Sequence, residues 1–264
     1  MIQKIGIEVR PLQEFVKIKN IIEQYQADNG EVLALDGVSL SVAQGELVSI
    51  VGPSGCGKST LLSIVAGLEQ PTHGSIEVNG KEITRVSSQI AYMLQDDNLL
   101  EWRSIYKNIL LGLEIQKKKT PENIAYVNQL IDNYGLGEFK QKYPSQLSGG
   151  MRQRAALIRT LAIKPELLLL DEAFSALDYQ TRLQVTDDVR QILRKEGKTT
   201  IMVTHDIPEA ISMSDRVVVL SARPGKVKAV HTLDFGEDLK PLERRKQPKF
   251  SEYFNEIWGE LVEK

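Results

Sequence analysis

Gly52-Pro53-Ser54-Gly55-Cys56-Gly57-Lys58-Ser59-Thr60 follows an apolar run, Leu47-Val48-Ser49-Ile50-Val51, and opens onto Leu61-Leu62-Ser63-Ile64-Val65-Ala66, whose spacing is helical. A G-x4-G-K-S segment between a strand and a helix is a phosphate loop. Its glycines let the backbone wrap closely enough for several N–H groups to face phosphate oxygens. The following helix adds its positive N-terminal end, and Lys58 adds a point charge for the outer phosphates. The Ser59 hydroxyl can ligand Mg2+. The motif predicts a nucleoside-triphosphate site built on an α/β sheet. Cys56 reads as a small filler within the loop.

Working outward, the next chemistry lies at the ends of apolar strands. Leu167-Leu168-Leu169-Leu170 ends in Asp171-Glu172. A run without polar residues fits a central parallel strand covered on both faces. Two carboxylates at its end are costly unless a cation or hydrogen bonds offset them. Asp171 suits Mg2+, directly or through water. Glu172 would then face the γ-phosphate, where it could accept a proton from an attacking water. Thr199 to Thr204 is another strand, closed by His205; a lone histidine is usually structural, but its place at the same sheet edge as Lys58, Asp171 and Glu172 favours a γ-phosphate contact. Ile90 to Leu94 ends in Gln95, and polar residues beyond strand ends gather at the ligand crevice of open α/β sheets. Gln95 is therefore a candidate, although a solvated loop glutamine would look the same. His73 and His231 have no such setting and read as structural.

The flanking segments complete the layout. Residues 16–25 and 32–42 read as two strands around Asp28-Asn29-Gly30, a hairpin signal. Tyr25, at the end of the first, either stacks on a base or caps the hairpin's packing. Further strands are expected at 46–51, 74–80, 216–221 and 227–233. Between Asp96 and Lys164 the strand signals stop, and 105–116, 122–134 and 151–163 have helical spacing. Leu147-Ser148-Gly149-Gly150-Met151 opens the last of these. Its turn is either an ordinary N-cap after a glycine hinge or a second helix N-terminus bare enough to approach phosphate. Ser175-Ala176-Leu177-Asp178 precedes a charged helix over 179–196. Phe250, Tyr253, Phe254, Ile257, Trp258, Leu261 and Val262 share one face of a terminal helix that either packs on the parent domain or meets a partner.

The 264 residues can bury a large core, and a net charge of −2 with 26% charged residues makes no electrostatic case for nucleic acid. One cysteine excludes a disulfide framework. Met1 to Lys19, broken by charges, is not expected to be a signal peptide, and no apolar run reaches the roughly 20 residues of a bilayer span. A soluble protein is expected, held at any membrane by another chain.

Taken together, the phosphate loop at 52–59, Gln95, LSGGM at 147–151, LLLLDE at 167–172, SALD at 175–178 and His205 resemble, in order and spacing, the ATPase subunits of ABC transporters over nearly the full length. The resemblance implies a P-loop NTPase core of RecA-like type (1–95 and 165–240, with the N-terminal hairpin as an antiparallel β subdomain). It also implies an inserted helical subdomain (96–164) and a C-terminal amphipathic helix (241–264). The implied ligands are ATP, bound by Gly52, Ser54, Gly55, Cys56, Gly57, Lys58, Ser59 and Thr60 with Tyr25 stacked on adenine, and Mg2+, held by Ser59, Asp171 and Gln95. Catalysis would fall to Glu172, His205 and Gln95, with Gln95 linking the Mg2+/water site to a transmembrane partner. Ser148, Gly149 and Gly150 would bind the γ-phosphate of ATP held by a second copy, with Asp178 at that interface. The implied setting is the cytoplasmic face of a membrane, with permease subunits and an external solute-binding protein acting through them. Leu99-Leu100-Glu101-Trp102-Arg103, Ser221-Ala222-Arg223-Pro224-Gly225 and the aromatic tail look like the nitrate/sulfonate/taurine import group, which usually has Pro where Glu101 stands. The rival readings are a soluble ABC-type mechanical ATPase acting on nucleic acid or ribosomes, whose long coiled coils and basic tracts are missing here, and a small-molecule kinase, which leaves LSGGM unexplained.

Overall fold

Leu167–Leu170 lacks a polar face because both of its faces are covered. In the computed structural model, which describes residues 14–27, 30–236 and 238–262, this run forms β7 (Leu167–Asp171) inside a six-stranded sheet. The sheet runs β10 (Val227–Thr232), β9 (Arg216–Leu220), β3 (Leu47–Val51), β8 (Thr199–Val203), β7 and β6 (Ile90–Met93). All neighbours are parallel except the β9–β10 edge pair. Side chains alternate across a strand, so Leu167 and Leu169 enter one hydrophobic cluster while Leu168 and Leu170 enter another. Val218 and Leu220 of β9 likewise part from Val217 and Val219.

The second sheet is antiparallel, in the order β2 (Gly30–Ala43), β1 (Glu14–Ala27), β4 (His73–Val78) and β5 (Lys81–Glu82). Its inner face, including Ile18, Ile21, Val38 and Ile76, packs with α1 (Lys58–Val65) against the parallel sheet. The fold class expected from the sequence is the one observed. The hairpin's turn residues 28–29, and the N-terminal stretch expected to carry no targeting signal up to residue 13, lie outside the described residues.

On the other face of the parallel sheet lie α2 (Ile105–Ile109), α3 (Leu111–Ile115), α4 (Pro121–Asn133), α5 (Gly149–Leu161) and α6 (Tyr179–Lys195). Their starts are set locally. Ser104, Thr120, Ser148 and Asp178 each accept a hydrogen bond from the backbone N–H three residues on, satisfying a donor that the first helical turn leaves free. The single helix expected over 105–116 is instead two short ones joined at Leu110, where ψ opens to −8°.

A third cluster joins α7 (Ile207–Met213) to β9, β10 and α9 (Pro248–Val262). Ile257 is fully buried in it, with Phe250, Tyr253, Phe254 and Leu261 around it. The terminal helix therefore packs on its own chain, although Trp258 and Val262 of the expected apolar face remain exposed. Following β10 in the chain, α8 (Pro241–Arg244) packs on α6 and α7 and places the buried guanidinium of Arg244 on the carbonyl of Ser214, which follows α7.

Candidate active site

The parallel register decides which residues meet. Pairing of β7 with β8 sets Asp171 opposite Val203, and pairing of β3 with β8 sets Ile50 opposite Val203. The segments that follow Val51, Asp171 and Val203 therefore emerge at one sheet edge. The phosphate loop leaves β3 there and turns into α1. Gly57 has φ +100°, and a Cβ on it would lie 2.6 Å from Leu35 Cδ2, so the tightest point of the loop accepts only glycine. Lys58, 6% exposed, turns its ammonium back onto the loop and donates to Gly52 O at 2.8 Å and Pro53 O at 3.0 Å. Cys56 is a core residue whose burial pushes the thiol pKa up, so it stays protonated.

A cleft of ≈ 370 Å³ opens above this loop, lined by Tyr25, Ala34, Ser54, Gly55, Gly57, Lys58, Ser59, Thr60, Glu172, His205 and Arg223. Beside it, Asp171 Oδ1 accepts from Ser59 Oγ at 3.1 Å and Oδ2 from the Tyr92 hydroxyl at 2.9 Å. Burial, together with the Asp171 carboxylate, raises the Tyr92 pKa well above the ordinary phenol value and keeps it a donor. Glu172 departs from the strand at φ +46°, a left-handed conformation that costs a non-glycine residue on the order of 1 kcal/mol. That kink separates two adjacent carboxylates: Asp171 meets Ser59, and Glu172 Oε2 lies 3.0 Å from His205 Nδ1.

The remaining candidates lie at the rim of this cleft or outside it. The Tyr25 ring lines the cleft, but its hydroxyl donates to Glu69 Oε2 at 2.8 Å. Gln95 is exposed, outside the cleft lining, and donates to Ser175 Oγ at 3.2 Å. Ser148 and Asp178 serve as caps of α5 and α6. Neither they nor Gly149 and Gly150 line the cleft of their own chain. His73 and His231 sit on β4 and β10, away from it. Two lining residues, Ala34 and Arg223, carry no motif of their own. The only signal for Arg223 was its place in the Ser221–Gly225 run.

Among the described residues no three His, Cys, Asp or Glu side chains gather into a metal cage. The Ser59 hydroxyl and one Asp171 carboxylate oxygen do fit Mg2+, which favours hard oxygens and takes few from protein when phosphates and water complete its shell.

Glu209, in the first turn of α7 just past His205, is 3% exposed, and its pKa is raised from 4.5 to about 7, chiefly by burial and further by Asp206, with Thr204 opposing. The folded state thus binds this proton more tightly than the unfolded chain. Stability from this group is complete below about pH 4.5, falls as pH rises, and levels off above about pH 7, a loss on the order of 3 kcal/mol. Glu209→Gln is expected to melt about 5 °C above the parent at pH 8 and level with it at pH 4.5. Melting curves across that range check it, and parallel curves for the two chains would refute the buried-carboxyl argument.

Comparison with known proteins agrees with this geometry. A family model described as ABC transporter matches residues 35–175. The chain is 43% identical to the uncharacterized ABC transporter ATP-binding protein YtlC of Bacillus subtilis (strain 168), over 94% of this chain and 95% of that one. It is 41% identical to the taurine import ATP-binding protein TauB of Jannaschia sp. (strain CCS1), over 92% of each. Among solved structures, the dimeric ABC transporter cassette MJ0796 superposes with a TM-score of 0.71 at 30% identity, covering 83% of this chain and 99% of that one. The same cassette in a post-hydrolysis state with ADP and Pi gives 0.69 at 29% identity. With a phosphate loop, two separated carboxylates and a strand-end histidine at one sheet edge, the chain belongs to the ABC transporter family, as one of its ATP-binding, ATP-hydrolysing subunits.

Proposed function

We propose that this ATPase drives an importer for a small anion or sulfonate-like solute, two copies acting head to tail on separate permease subunits at the cytoplasmic face of a membrane. The observation that carries the mechanism is the pair Glu172–His205, held at 3.0 Å in the cleft that Ser59 lines and its partner Asp171 borders. ATP lies with its phosphates on Ser54 to Thr60 and its adenine on the Tyr25 ring. Ser59 and Asp171 would hold Mg2+, which when bound neutralises charge on the β- and γ-phosphate oxygens. Glu172 takes a proton from water as the water oxygen attacks the γ-phosphorus and the bond to ADP breaks, yielding ADP and phosphate. His205 orients the Glu172 carboxylate.

Ser148, Gly149, Gly150 and Asp178 are absent from their own cleft, which suits a role in the cleft of the second copy. Such a two-fold contact buries two nucleotides between identical surfaces, and ATP favours it because those contacts exist only in the closed pair. Residues 1–95 with 165–240 act as the nucleotide-binding body and 96–164 as the helical one. The permease meets both near Gln95 and the helical body, whose surface exposes Trp102 and Ile115 and where an apolar groove is lined by Leu68, Val86, Ile115 and Ile163. No described helix is long and apolar enough to cross a membrane, so the permease supplies the anchor, and an external binding protein brings solute to it. The TauB name motivates the sulfonate-like cargo.

Co-expression with a permease of the taurine or nitrate type tests this. The expected result is recovery of the chain with membranes and ATP-dependent uptake of the solute. A chain that stays off the membrane with its permease present and retains nucleic acid instead would overturn it.

A further inference from the structure

Arg223 belongs to none of the motifs that led to the cleft, yet it forms part of its wall. It sits in the turn 221–225 between β9 and β10, and this turn is hydrogen-bonded to β2 and packed against the phosphate loop. Gly225 N donates to Ala34 O at 2.9 Å, and its carbonyl accepts from Asp36 N at 3.0 Å. Ser221 Oγ closes the turn by donating to Pro224 O and accepting from Lys226 N, both at 3.0 Å. Gly225 approaches so closely that a Cβ on it would lie 2.2 Å from Cys56 O, a contact no other residue could make. At the tip of this clamp, Arg223 Nε donates to Gly55 O at 3.2 Å.

An arginine exposed on a turn is ordinarily solvated. This one is tethered at the rim of the phosphate loop by Nε alone, leaving its remaining N–H donors uncommitted. No carboxylate lies within ion-pair distance of it among the described residues. The charge balance of the cleft also leaves room for a cation. Glu172 lines it and Asp171 borders it, two carboxylates against the single ammonium of Lys58. A planar guanidinium on a fixed backbone matches phosphate oxygens better than a mobile ammonium does.

We propose that Arg223 is a phosphate-binding residue of the nucleotide cleft, reaching the phosphates that ADP and ATP share from the side opposite α1. The inference rests on the nucleotide reading above and extends it to a turn outside the recognised motifs.

Equilibrium binding of ADP, ATP and adenosine to the full chain tests it, using the parent, Arg223→Ala, Arg223→Lys and the Lys58→Ala control. The expected result is about tenfold weaker binding of both ADP and ATP to Arg223→Ala, partial recovery with Lys, unchanged adenosine binding and an unchanged melting temperature without nucleotide. Arg223→Gln, which keeps a donor for Gly55 O without the charge, should show the same loss if alanine loosens the turn. Parental ADP affinity in both uncharged variants overturns the proposal. If only melting falls, Arg223 merely braces the turn; if only ATP-driven pairing falls, it faces the second copy. Should Lys58→Ala also bind ADP like the parent, the nucleotide reading itself is at fault.

Discussion

Glu172→Gln is expected to lower ATP turnover by about 10²–10⁴ while ATP affinity stays within about twofold of the parent. The amide keeps the shape and can still hydrogen-bond His205, 3.0 Å away, but it cannot take a proton from the attacking water. Glu172 also occupies a costly φ of +46°, and the neighbouring strand carbonyl of Val203 holds its N–H at 2.9 Å, so the backbone kink survives the substitution. Because hydrolysis is what removes the γ-phosphate contacts, the variant should accumulate as an ATP-bound pair. Steady-state ATPase assays with nucleotide titration and size-exclusion chromatography check both halves. Parental turnover in Glu172→Gln would remove the general base from the mechanism.

Lys58→Ala is expected to weaken ATP binding by about 10- to 100-fold, the range for losing a charge-assisted contact to phosphate. The ammonium lies at the loop itself, within hydrogen-bond reach of Gly52 O and Pro53 O. Its alkyl stem is buried, so the charge is held at the mouth of the phosphate cradle. Calorimetric titration with ATP measures the loss. An unchanged affinity would mean that backbone N–H groups and the α1 terminus hold the phosphates without the side chain. The two substitutions should also separate cleanly: Lys58→Ala acts on binding, Glu172→Gln on the chemical step.

Much of the site was legible because its pieces are local. Gly52 to Thr60 needs only its own glycines, its preceding strand and its following helix to make a phosphate cradle. Leu167 to Leu170 announces a strand buried on both faces before any partner is known. Ser148 and Asp178 mark helix starts through hydrogen bonds that span three residues. Other features left no local trace. α7 and α8 are too short to show a period, and the break at Leu110 leaves the apolar spacing of 105–116 intact. The hydroxyl of Tyr25 finds Glu69, 44 positions away. Arg223 reaches Gly55 across 168 positions, and nothing in its own surroundings hints at a phosphate loop.

The chain alone thus determined the class of fold, the phosphate loop and the polar residues that end each apolar strand, since these follow from hydrophobic period, glycine geometry and helix caps within a few residues. Only the folded molecule decided which of those ends share a cleft, because the parallel register that sets Asp171 against Val203 is a contact between distant segments. It also decided that Ser148, Gly149 and Gly150 lie outside their own cleft and that the turn at 221–225 closes its wall. Such placements depend on how two sheets and a helical layer bury one another, and burial between layers cannot be read from one stretch of sequence.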